Sequence, residues 1–95
     1  MKIPRRVQVG DRWYSVEIVE MLEEKRIAGR VDYVDRHIRL ASSGFTPGQL
    51  NEAFWHEVVH AILDDMDDKH SNNEAFVTAF SRRLARAVLS ARTDE

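Results

Sequence analysis

The sequence predicts an α+β domain: a small antiparallel sheet of three or four strands followed by two long helices. Three observations carry this. Residues 7–41 hold short runs rich in β-branched and aromatic residues, divided by turn-forming pairs. Residues 46–91 carry apolar residues at helical spacing in two blocks, with a polar break between them. The 95 residues contain no internal repeat, low-complexity tract or dividing linker, so residues 1–95 make a single domain.

The strands come first. Val7–Val9 and Trp13–Val19 flank Gly10-Asp11 and read as a hairpin with a tight turn. Val16 and Ile18 alternate with Ser15, Glu17 and Val19, the period of a half-buried strand. Pro4, Arg5 and Arg6 read as a loose, solvated arm. Glu20–Arg26 is a polar connection. Ile27–Val34 and His37–Ala41 form a second pair of runs around a two-residue turn, Asp35-Arg36. Ile38 and Leu40 then point to one side, and His37, Arg39 and Ala41 to the other.

After the loop Ser42-Ser43-Gly44, a helix starts at Thr46-Pro47-Gly48-Gln49. Thr46 caps, Pro47 fits the first helical position and Gln49 completes a capping box. The helix runs to about Asp65, with Leu50, Phe54, Val58, Ala61 and Ile62 as the stripe that packs on the strands. It closes in Asp64-Asp65-Met66-Asp67-Asp68. Carboxylates oppose the macrodipole at that end, so the run reads as a solvated loop or as local negative charge near a dication. It lacks the spacing and the glycine of an EF-hand loop. The last helix opens at Ser71-Asn72-Asn73-Glu74. Phe76, Val77, Phe80, Leu84, Ala87, Val88 and Ala91 form its core-directed stripe. Arg82, Arg83, Arg86 and Arg92 make its exposed face, and Thr93-Asp94-Glu95 fray.

Composition narrows the chemistry. With no cysteine in the chain, disulfides and thiolate metal sites are excluded. A metal here must use imidazole, carboxylate and water, a set that suits Zn²⁺. A net charge of −2 gives no general pull toward nucleic acid or an anionic membrane. The basic start MKIPRRVQVG is followed by no apolar run, so it does not read as a signal peptide. No stretch approaches the roughly 18 apolar residues of a membrane span. The expected location is the cytoplasm.

One stretch carries chemistry: His56-Glu57-Val58-Val59-His60, the H-E-x-x-H pattern, inside the first helix. Residues four apart share a helix face, so both imidazoles lie side by side, off the apolar stripe. Glu57 sits on the flank of that face, where a carboxylate can take a proton from an activated water. An open zinc site normally needs a third protein ligand. Glu74, 14 residues after His60 and in the first turn of the next helix, is the candidate. Against this, Ser71 and Glu74 are also spaced as a capping box. His70 in the loop and Asp64, one turn beyond His60, are rivals; the position six residues past His60 is Met66, which excludes a third histidine there.

His56-Glu57-x-x-His60 with a glutamate on the next helix resembles the gluzincin type of zinc metallopeptidase. The short strands Arg30–Tyr33 and His37–Leu40 before the helix add a resemblance to small metallopeptidase-like proteins of phages and bacterial mobile elements. The resemblance covers roughly Gly29 to Leu84. It implies a minimal zincin-like fold with His56, His60 and Glu74 as zinc ligands and Glu57 as general base. It implies that Thr78, one turn after Glu74, orients a histidine. It also implies that His37–Ala41 is the edge strand that pairs with an extended peptide. Two departures point to weak activity: the glutamate follows the second histidine more closely than in most gluzincins, and the chain is too short for a second domain.

The expected function is therefore zinc-dependent hydrolysis of a peptide or protein substrate. An oxyanion donor besides the metal is required, and Tyr33, His37 and His70 are the available residues. Two alternatives stay open. A metal-stabilised binding module would use the same site to fasten the helices. A metal-free domain would act through its arginine-bearing last helix.

Overall fold

The computed structural model describes residues 3–24 and 26–91 as four strands followed by two helices. The strands are β1 (Arg6–Val9), β2 (Arg12–Val19), β3 (Gly29–Asp32) and β4 (His37–Ala41). The helices are α1 (Pro47–Asp65) and α2 (Glu74–Ser90). Lys25 of the polar connection, Arg92 of the arginine face and the tail Thr93–Glu95 lie outside the described residues.

β1 and β2 form the expected antiparallel hairpin, Val9 opposite Arg12, with Gly10 at φ 59° in the turn. A left-handed first turn residue suits glycine. This glycine also clears the end of α1, because a Cβ there would sit 2.4 Å from Asp65 Oδ2. The preceding arginines are not a loose arm. Val16 N–H donates to the Arg5 carbonyl at 2.8 Å, Arg6 opens β1, and its guanidinium lies 4.5 Å from the centre of the Trp13 ring.

The sheet order is β1-β2-β4-β3. β3 and β4 pair antiparallel, but β2 and β4 pair parallel, so the sheet is mixed rather than antiparallel throughout. The nine-residue connection 20–28 carries the chain past β4's place to the sheet edge, and β4 then returns beside β2. Two expectations change as a result. His37–Ala41 is an interior strand, and the edge strand on that side is β3. The β3–β4 turn also spans Tyr33–Arg36, because Asp32 Oδ1 accepts from Val34 N–H and Asp35 N–H, both at 2.9 Å, and Arg36 takes φ 53°. That side-chain turn ends the strand two residues before Val34.

α1 begins as its sequence dictates. Thr46 Oγ1 accepts from Gln49 N–H at 3.1 Å, and Gln49 Oε1 accepts from Thr46 N–H at 2.8 Å. Its apolar face meets Val9, Tyr14, Val16, Ile38 and Leu40 of the sheet through Phe54, Val58 and Ala61. Ile62 is not in that core; it is 37% exposed.

α2 packs on α1 and, among the described residues, on no strand. Its buried face is narrow and made of small or branched side chains: Val77, Ser81 and Ala85. The stripe expected to face the core is therefore divided. Val77 is buried and Leu84 half-buried, while Phe76, Phe80, Ala87, Val88 and Ala91 are exposed. A helix one layer away from the sheet has only its neighbour's side to bury. The start of α2 is capped by Asn73, whose Oδ1 accepts from Phe76 N–H at 3.0 Å, so the Ser71–Glu74 capping box does not form. Glu74 is left free for another partner. Removing the cap with Asn73→Ala is expected to cost about 1 kcal/mol in chemical denaturation and to weaken metal binding through Glu74; unchanged denaturation would show that α2 does not depend on this cap.

Candidate metal centre

α1 and α2 bring His56, His60 and Glu74 to one point. His56 Nε2 and His60 Nε2 are 3.2 Å apart. Glu74 Oε2 lies 3.0 Å from His56 Nε2, and Glu74 Oε1 lies 2.7 Å from His60 Nε2. The one-turn spacing of the histidines on α1 brings their rings to 4.8 Å between centroids. Asn73 starts α2 so that its first residue faces them.

These distances fit a shared cation. Donors about 2.0 Å from a tetrahedral ion are about 3.3 Å from each other. The tautomer also fits. His60 Nδ1 is 2.6 Å from the Ser71 carbonyl, which can only accept, so Nδ1 donates there, and in the neutral ring Nε2 keeps the lone pair a cation needs. His60 is buried, His56 partly buried, and the Glu74 side chain is 70% exposed, which leaves an approach from solvent. Burial, with a smaller contribution from His60, lowers the pKa of His56, although Glu74 opposes this. The three residues form a group able to hold a metal ion, with two nitrogens and one carboxylate as donors. No sulfur is offered, and borderline dications suit such a set.

Glu57 is next to the triad and is only 7% exposed. Burial raises its pKa to about 7, with a further upward push from Glu74, while His60 and Arg30 pull it down. Among the described residues no hydrogen bond or ion pair holds its carboxylate. It lines a cavity of about 660 Å³ together with His56, His60, Glu74, Tyr33 and Thr78. β3 forms one wall, through Gly29, Arg30 and Val31, and α2 forms another, through Ser81 and Arg82. Two ion pairs mark the rim: Arg30 with Glu24 at 2.8 Å and Arg82 with Glu52 at 3.8 Å.

The other sequence candidates separate. Tyr33 lines the cavity, and burial, then Asp64 and Glu57, push its phenol up to about 12, so it keeps its proton. Thr78 lines the cavity, but the group that orients a histidine is the Ser71 carbonyl. His37 is elsewhere, on the outer side of the sheet, bonded at 2.6 Å to Ser15 Oγ and at 3.2 Å to Glu17 Oε1. His70 is held by Asp68, which accepts from its backbone N–H at 2.8 Å and from Nδ1 at 2.9 Å, and its ring lies on Phe76. Those two bonds lower the pKa of Asp68. Neither His70 nor Asp64 joins the cluster of ligand atoms.

Sequence reasoning missed three contributors. The Ser71 carbonyl left no signal, since any residue has one. Arg82 belongs by its sequence position to an exposed helix face or a partner surface, and nothing local ties it to the cavity. Gly29 did leave one: a glycine inside a strand marks a close backbone approach.

No family model, curated protein or solved structure matches this chain.

A pH prediction follows from Glu57. Its pKa rises from 4.5 to about 7 on folding, so the folded state binds the proton more tightly. For the metal-free protein this contribution is complete below pH about 4.5 and is lost as pH climbs through about 7. Denaturant titrations across that window should show falling stability in the parent and a flatter profile in Glu57→Gln; equal slopes would refute the assignment.

Proposed function

We propose that this protein is a metal-dependent peptidase of minimal gluzincin type, with Zn²⁺ as its metal and an extended peptide or protein segment as substrate. The observation that carries the reading is the meeting of His56, His60 and Glu74 beside the buried carboxylate of Glu57. When bound, a dication there supplies a Lewis acid and lowers the pKa of a water to about 7.

The chain's own residues supply the remaining functions. Glu57 takes the proton of the attacking water and passes it to the leaving amine. Tyr33, protonated and in the same cavity, donates to the oxyanion as it forms. β3 holds the substrate. Ala41 N–H donates to the Ala28 carbonyl, so the backbone groups of Arg30 and Asp32 also turn toward β4, and those of Gly29 and Val31 turn to the open edge. A peptide in extended form can pair with them there. No helix among the described residues is long and apolar enough to cross a membrane.

One observation favours a second reading, a metal-fastened binding module. Among the described residues α2 rests on α1 and on no strand, through small side chains, so a metal held by residues of both helices would also act as a clasp.

The test combines zinc stoichiometry with cleavage of quenched, unstructured peptides. One zinc per chain is expected, with none retained by His56→Ala. Glu57→Gln should keep the metal and lose roughly 10²–10⁴-fold in turnover. Cleavage unaffected by Glu57→Gln would falsify the mechanism. A large chelator-sensitive shift in melting temperature without turnover on any peptide would favour the binding module instead.

A further inference from the structure

Glu57 has the position of a base, but among the described residues no hydrogen bond or ion pair aims it. Its confinement comes from β3. A Cβ built on Gly29 would lie 3.2 Å from Glu57 Cγ, 3.3 Å from Glu57 Oε2 and 3.0 Å from Leu40 Cδ2. The carboxylate therefore leans on the bare backbone of the edge strand. Leu40 is fully buried beside it, and its contact is with the end of a flexible side chain, so the cycle below separates the two contacts. The same glycine turns its N–H and carbonyl to the open edge, where a substrate strand adds.

We propose that Gly29 is a positioning residue with two linked roles. The lack of a side chain seats the carboxylate of Glu57, and the residue's backbone holds the peptide unit that Glu57 serves. The inference rests on the peptidase reading and deepens it. The bond cut is the one whose residue pairs with Gly29, and the substrate must be an extended segment able to lie along Gly29–Val31. A methyl group at position 29 leaves the strand's hydrogen-bonding groups intact but displaces the base. At 3.2 and 3.3 Å the Glu57 side chain must give by a fraction of an ångström, and since misplacement by about 1 Å costs roughly 10²-fold in rate, a loss of roughly tenfold is expected.

The experiment is a double-mutant cycle with Gly29→Ala and Glu57→Ala, read first by denaturation of the metal-free protein. The added methyl should destabilise the parent strongly and the Glu57→Ala background much less, with a coupling of roughly tenfold in the unfolding constant. If Gly29→Ala alone does not fold, recovery of folding in the double variant supports the same conclusion. Additive effects, or failure of both variants to fold, place the clash on Leu40 and overturn the proposal. The second readout is turnover of Gly29→Ala loaded with zinc, where kcat should fall roughly tenfold at unchanged KM and unchanged zinc stoichiometry. A raised KM with unchanged kcat would overturn it. Absence of cleavage by the parent protein would sink the peptidase reading instead, and the metal-free cycle distinguishes the two failures.

Discussion

Two imidazoles from one helix and a carboxylate from the next must meet, each Nε2 about 3 Å from the other and from one Glu74 oxygen, and the rest of the fold is arranged to keep them there. Lone pairs and a carboxylate at such distances repel unless a proton or a cation lies between them. The histidines cannot separate, because α1 holds them one turn apart and the sheet holds α1. Glu74 cannot drift along its helix, because Asn73 starts α2 one residue before it. The Ser71 carbonyl keeps the proton of His60 on the far nitrogen. Each restraint is ordinary by itself. Together they leave an electrostatic need that a proton or a bound cation meets.

The arrangement also bears on stability. A domain of 95 residues has a modest core, and here the core lies between α1 and the sheet. α2 adds only Val77 and Ala85, which are buried outside that cluster. The interface of α2 with α1 is narrow, and the aromatic pair Phe76 and Phe80 stack on each other at 5.9 Å while partly exposed. A ligand bound by residues of both helices therefore adds to folding as well as to chemistry, since metal affinity for a folded site is folding free energy. The acidic end of α1 contributes differently. Asp64 does not reach the cluster, but its charge helps to keep the Tyr33 proton in place.

Local signals in the sequence were readable, and nonlocal ones were not. The start of α1 follows from Thr46, Pro47 and Gln49 alone, because a capping box is satisfied within four residues. The β1–β2 hairpin follows from Gly10. The meeting of both histidines follows from helical spacing. By contrast, the parallel pairing of β2 with β4 depends on how two hairpins dock, which no short pattern encodes. The exposed part of the α2 stripe depends on which layer the helix occupies; period 3.6 identifies a face without saying what lies opposite. Val34 has the residue type of a strand, yet the Asp32 side chain turns the chain before it. The third ligand was ambiguous because Glu74 serves equally well in a capping box, and the choice fell to Asn73. Gly29 carried a signal whose meaning needed the position of Glu57.

The most direct test of the account is X-ray absorption at the zinc edge on stoichiometrically loaded protein. The account predicts four light donors near 2.0 Å, with the outer-shell scattering of two imidazoles and the remaining donors oxygen. A spectrum with one imidazole or none, or six oxygen donors at longer distance, would contradict it.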